Sequence, residues 1–306
     1  MSDFVTPART TLPESAKQSV FSTLQARAAM GQKSLSFEFF PPKEGSATSE
    51  DSLWATFDAV LGVSADFISV TYGAGGSNQA KSFEVLDRMA PEILTVGHLT
   101  CVGASRASTL ETVGRFQQAG VRSVLALRGD APKDRPEALA EGELKTALDL
   151  VELVHAQTTL EIGVAAFPEV HPESGSLEHD ARVLALKQAA GASFAVTQLF
   201  FGVEHYTAML AAGAAAGVNL PVVPGLMPVS NAKQLLRMAA MSGAAVPAAL
   251  AAQLESADDA EGRRIGMEYT IQLGKDLLAA GAPGLHIFTL NKSEAALELA
   301  AGVGLI

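Results

Sequence analysis

Residues 37–45 read FEFFPPKEG, an apolar, β-rich run that ends in two prolines. In an open, doubly wound α/β sheet the first strand would run into a glycine-rich phosphate loop of the form G-x-G-x-x-G. No such loop follows here, so the architecture turns on how many strands the chain supplies. Outward from this stretch, short β-rich runs alternate with longer Ala-rich helical stretches, the pattern of βαβ units around a parallel sheet. The runs fall at 35–40, 67–71, 94–100, 123–127, 162–166, 195–200, 221–224 and 285–290. Eight such units fit a closed α/β TIM barrel, (β/α)8, better than an open sheet.

Helical patterns lie between the runs, at 52–61, 108–118, 143–157, 177–189 and 204–216, and 232–280 is long enough for two or three helices. Upstream, 14–30 carries Val20, Leu24 and Arg27 at helical spacing. Residues 1–33 are therefore expected to form an N-terminal helical extension that caps the barrel bottom, with 34–306 as the catalytic barrel. Gly73, Gly75 and Gly76 follow the second run and match no nucleotide fingerprint, which favours a tight βα turn.

With 48% hydrophobic and 18% charged residues in 306, the chain has the apolar content for one large core. A net charge of −11 without a basic run disfavours nucleic acid as a partner, although a few cations at one cleft still suffice for a small anion. The lone cysteine, Cys101, rules out an intramolecular disulfide, and the first residues lack a basic stretch followed by an apolar segment. A cytoplasmic protein without a membrane span is expected.

Chemistry in such a barrel gathers at the C-terminal ends of the strands. Polar residues there are Glu38, Thr71, Tyr72, His98, Arg128, Asp130, Glu169, His171, Gln198 and Lys292. Glu38 lies between Phe37 and Phe39, and desolvation by those rings is expected to raise its pKa toward neutrality, as a general acid requires; a structural ion pair is the other reading. Arg128-Gly129-Asp130 places a cation, a permissive backbone and a carboxylate at one strand tip, suited to a ligand with phosphates and hydrogen-bond donors, or to a capped surface turn. His98 and Cys101 form H-x-x-C, too few ligands for zinc, so no metal is expected. His171 can meet a phosphate or its own loop, while His155, His179, His205 and His286 are given packed or solvated roles. Pro41, Pro42, Pro168 and Pro172 stiffen the neighbouring loops.

The motifs SFEFFPPK, SVTYGAGGS, HLTC, LRGD, AAFPEVHPES, VTQLFF, PGLMPVSNAKQ and FTLNK occur in order, one after almost every strand. In them the chain resembles the methylenetetrahydrofolate reductase family, in its bacterial single-domain form, from about residue 36 onward. The resemblance implies a barrel that binds FAD, takes a hydride from NADH or NADPH, and reduces 5,10-methylenetetrahydrofolate to 5-methyltetrahydrofolate in a ping-pong reaction at one site. It implies that Glu38 is the acid that opens the folate's five-membered ring and that Asp130 stabilises the cationic iminium beside the flavin. Cofactor contacts carried over are Thr71, Tyr72, His98, Arg128, Gly129, Asp130, Phe167, His171, Asp180 and Lys187. Substrate contacts are Gln198, Gln234 and Lys292.

Phe167 stands where the family often has Tyr, Met238 where some members have an aromatic, and Lys292 where others have Arg, which gives up two-pronged carboxylate binding. A homo-oligomer is expected, and no regulatory domain after Ile306. The rival readings are a flavin-free reductase of the same folate, a flavin enzyme of the proline dehydrogenase kind, which would lack Glu38, and a non-catalytic flavin-carrying electron-transfer subunit.

Overall fold

The computed structural model describes residues 9–42, 46–72, 79–131 and 136–306; the glycine cluster at 73–76 lies outside them. Its strands are β1 (Ser34–Phe39), β2 (Phe67–Val70), β3 (Thr95–Thr100), β4 (Ser123–Leu127), β5 (Glu161–Ala166), β6 (Phe194–Thr197), β7 (Val222–Val223), β8 (Gly225–Leu226) and β9 (Gly284–Phe288). All pairings are parallel, in the order β7-β6-β5-β4-β3-β2-β1-β9-β8. The helices are α1 (Val20–Ala29), α2 (Ala47–Gly62), α3 (Gln79–Met89), α4 (Arg106–Gln118), α5 (Ala138–Glu141), α6 (Ala147–Gln157), α7 (Leu177–Ala189), α8 (Val203–Ala215), α9 (Ala232–Ser242), α10 (Ala248–Ser256), α11 (Asp259–Ala279) and α12 (Ser293–Gly302).

Nine hydrogen-bonded strands make eight staves, because the seventh is split at Pro224. Proline has no N–H to give a ladder. Before it, Ala195 N donates to Pro221 O; after it, His286 N donates to Pro224 O, so the same stave pairs with β6 below and β9 above. Gly225 N is taken by the Thr197 hydroxyl at 2.9 Å. Only glycine fits there, since a Cβ would lie 2.5 Å from Phe288 Cζ and 2.8 Å from Thr197 O.

Alternation along each strand sorts the side chains into two layers. Leu35, Phe37 and Phe39 of β1 join the large apolar cluster between strands and helices. A second cluster fills the lower lumen, where Val20 and Leu24 of α1 meet Phe67, Val96, Leu125, Phe194, Val196 and Val223. The leading segment thus plugs the barrel bottom. Its single expected helix is instead a short 3-10 turn, Glu14–Gln18, then α1 capped by Ser19, whose hydroxyl and Ser22 exchange hydrogen bonds that restart the chain as an α-helix.

Two carboxylates fasten the plug, Asp66 buried and Glu161 half-buried. Glu161 at the start of β5 accepts from the Val20 and Phe21 amides at 2.7 and 2.8 Å, a negative charge on a helix N-terminus. Asp66, ahead of β2, accepts from Arg27 Nε and Nη2 at 2.9 and 2.7 Å, from Arg9 Nη2, and from the Leu35 amide. Three helices occupy 232–280, as the length of that stretch allows. Among the described residues no helix is long and apolar enough to cross a membrane.

Removing one partner of a buried ion pair strands the others without compensation. Asp66→Ala should therefore cost about 3–5 kcal/mol of stability, read as a lower urea midpoint, whereas an unchanged midpoint would show that the plug is not held this way.

Candidate functional site

At the upper end of the lumen the inward-facing positions turn polar. Register pairs Ser36 with His286 and Glu38 with both Ser69 and Phe288. Glu38, 8% exposed, points into this layer. Its Oε2 lies 3.4 Å from Ser69 Oγ, 3.4 Å from His98 Nε2 and 3.7 Å from His286 Nε2. The imidazole of His286 stacks on Phe67 and is bracketed by two hydroxyls, with Ser36 Oγ 2.8 Å from Nδ1 and Ser69 Oγ 3.1 Å from Nε2. His98 Nε2 is buried and faces the Glu38 carboxylate across 3.4 Å.

This overturns the expected direction of the Glu38 shift. Phe37 and Phe39 are its neighbours in sequence, but strand alternation turns them to the opposite face, and the groups around the carboxyl are imidazoles and a hydroxyl. Burial pushes the carboxyl up, yet hydrogen bonds and charge from His286 and His98 outweigh it and hold it down at about 2. His286, for which the sequence suggests a packed or solvated role, is in direct reach of Glu38.

The β1–β9 seam is locked above this layer. Thr289 Oγ1 donates to Glu38 O at 2.6 Å, and Asn291 accepts from Phe40 N and donates to Phe40 O at 3.0 and 2.7 Å. Leu290 and Asn291 hold φ of 50° and 56°, a left-handed turn that is uncommon for leucine. It delivers Lys292, exposed, to the N-cap of α12.

Beside the lumen, at the carboxyl ends of β4 and β5, lies a cavity of about 500 Å³. Arg128, Gly129, Asp130, Phe167, His171, Asp180, Lys187 and Gln198 all line it. Gly129 has φ of 82°, and a Cβ there would sit 3.0 Å from Thr100 Cβ and Val102 Cγ1, so the turn after β4 requires glycine. Asp180 Oδ2 accepts from the His171 amide at 2.9 Å and closes the β5–α7 loop onto α7. The His171 ring meets Phe167 edge-on at 4.5 Å, and its Nδ1 accepts from Glu173 N at 3.0 Å, which puts a ring proton on Nε2. Burial pulls the Lys187 ammonium below its ordinary pKa, against the charge of Asp180 two turns earlier on α7.

The remaining residues singled out from the sequence stand elsewhere. Tyr72 is buried against Phe83 and Phe116 in the helix layer, with its ring away from the cavity. Thr71 follows β2, tied by its amide to Phe39 O. The Gln234 carbonyl oxygen is occupied by Ser230 at the start of α9, and that of Gln198 by the Leu199 amide at 2.8 Å, which leaves the donor end of each amide. Ser36, Ser69, His286, Thr289 and Asn291 belong to the site and were not singled out. The available signal was strand alternation, which puts Ser36 on the face of Glu38.

A model of the family described as methylenetetrahydrofolate reductase matches residues 23–304. The 5,10-methylenetetrahydrofolate reductase of Escherichia coli (strain K12) is 36% identical over 273 residues, covering 86% of this chain and 88% of that protein. Methylenetetrahydrofolate reductase (NADH) 1 of Arabidopsis thaliana is 33% identical over 303 residues, 94% of this chain and 51% of the plant protein. A solved protein from Clostridium thermocellum that binds two copies of 5-methyl-5,6,7,8-tetrahydrofolic acid superimposes with a TM-score of 0.62 at 16% identity, over 92% of this chain and 99% of that one, a likeness of fold.

Glu38 tests the electrostatics of the lumen through pH. Its carboxyl is lowered from 4.5 to about 2 on folding, so its pairing contributes stability that is complete above about 4.5 and is lost as pH falls toward about 2. The stability gap between this protein and its Glu38→Gln variant, from urea unfolding, should shrink as pH falls from about 4.5 toward about 2; a gap that widens over that range would contradict the pairing.

Proposed function

Because the chain belongs to the methylenetetrahydrofolate reductase family, and so is an oxidoreductase that reduces methylenetetrahydrofolate, we propose that it does so with FAD in the cavity beside Glu38. The observation that carries this is the convergence of Arg128, Lys187 and the Nε2–H of His171 on one cavity whose volume lies within the range of cofactor pockets. Those groups suit a pyrophosphate, and Asp180, on α7 beside Lys187, suits ribose hydroxyls. Gly129 lets the backbone after β4 come close to a flat ring. When bound, FAD supplies the carrier through which a hydride passes from NADH or NADPH to the folate in two half-reactions at one face.

The protein's own part is to hold and to protonate. Asp130, exposed at the cavity, places a negative charge where a cationic iminium develops on the folate. Gln198 offers its amide donors to the pterin, while Gln234 from α9 and Lys292 from the N-cap of α12 contact the folate further out. Glu38 serves as the acid for opening the folate ring. Its resting state is the carboxylate, so it must first take up a proton. His98 and His286, with ring nitrogens 3.4 and 3.7 Å from Oε2, are placed to relay one. The name of the plant relative supports NADH as donor.

A visible spectrum of the purified protein, followed by anaerobic NADH and then methylenetetrahydrofolate in one cuvette, tests the proposal. A flavin band that bleaches with NADH and returns with the folate is expected. Protein that stays colourless when supplied with FAD would move a direct, flavin-free hydride transfer to first place. A bleached flavin that the folate cannot reoxidise would favour an electron-transfer role.

A further inference from the structure

Glu173, in the loop between β5 and α7, engages two of the groups assigned above to the pyrophosphate. Its carboxylate grips Arg128 in a two-pronged ion pair, Oε2 to Nη1 at 2.5 Å and Oε1 to Nη2 at 2.7 Å. Its backbone amide fixes the tautomer of His171. All three residues line the same cavity. The Glu173 side chain is 58% exposed against 30% for Arg128, so solvent is open to the carboxylate once it lets go.

A guanidinium presents the same fork to a carboxylate and to a phosphate, and its Nη1 and Nη2 end cannot serve both in full. Charge points the same way. Among the described residues lining the cavity, Arg128 and Lys187 stand against Asp130, Glu173 and Asp180, so a carboxylate is in excess where a dianion must sit. Taking Glu173 away balances the count. The amide of Glu173 is a different matter, since the proton it fixes on His171 Nε2 favours phosphate whatever its side chain does.

We propose that the Glu173 side chain competes with the cofactor's phosphates for Arg128, weakening the hold on the phosphate half of FAD and setting how readily the cofactor exchanges. This rests on the FAD reading above. The competing idea, that Glu173 steadies Arg128 in the pose a phosphate needs, has the opposite sign.

The test is equilibrium titration of apoprotein with FAD, with ADP by competition, and with riboflavin, which has no phosphate, in the wild type, Glu173→Gln and Glu173→Ala. Both variants keep the backbone amide that orients His171. FAD and ADP should bind about three- to tenfold more tightly in both, in keeping with a largely exposed ion pair, with riboflavin unchanged and the gain reduced at high salt. Unchanged or weaker FAD binding in both variants, with FAD bound by the wild type, would overturn the proposal and leave the cofactor reading standing. A wild type that binds no FAD would overturn both. Equal tightening of riboflavin would also overturn it, since the effect would then lie outside the phosphate half.

Discussion

The ladder between β1 and β9 closes the ring, and in doing so it sets Ser36 beside His286 and Glu38 beside Phe288, although these residues stand some 250 positions apart in the chain. That register sets Ser36, Glu38 and His286 against one another in the upper lumen, and β2 and β3 bring Ser69 and His98 to them. A slip by one residue would turn Glu38 into the helix layer and bring Phe37 or Phe39 into the lumen, because side chains alternate along a strand. The seam is reinforced accordingly, by Thr289 on the Glu38 carbonyl and by Asn291 bonded both ways to Phe40. The left-handed turn at Leu290 and Asn291 is the local strain that goes with it.

The barrel is polarised along its axis. At the bottom, Asp66 and Glu161 hold the leading segment in place, each with several donors, the first buried and the second half-buried. Above the apolar plug built from α1 and the lower strand positions, polar side chains take over, first Ser36, Ser69 and His286, then Glu38 and His98. A carboxylate in that layer sits among imidazoles in a space closed to water from below, where charge interactions are strong. The cavity at the ends of β4 and β5 opens beside it, and Gln198 reaches both that cavity and the small recess under the turn that follows α9.

The strand pattern was legible because buried parallel strands are continuous apolar runs between Gly- and Pro-marked turns, and helix α7 was legible to its ends. Arg128, Asp130, His171 and Gln198 are legible because they sit at strand tips, whereas Phe167, and Asp180 and Lys187 on α7, are named only by the family resemblance. Three features were not legible. The split of the seventh stave depends on which neighbour each half meets, and Pro224 alone does not say. The setting of Glu38 does not follow from its chain neighbours, because the two-residue period of a strand turns Phe37 and Phe39 to the opposite face. The contact of His286 with Glu38 belongs to ring closure, which no local pattern encodes. Tyr72 shows the converse, a residue at a strand end whose ring belongs to the packing of α3 and α4.

The central claim is that Glu38 acts on the folate and has no part in the transfer from the nicotinamide. Single-turnover stopped flow separates the two halves: in Glu38→Gln, reduction of bound flavin by NADH should stay close to the wild-type rate, while reoxidation by methylenetetrahydrofolate should slow by about 10²–10⁴-fold. Unimpaired reoxidation in that variant, or equal slowing of both halves, would contradict it.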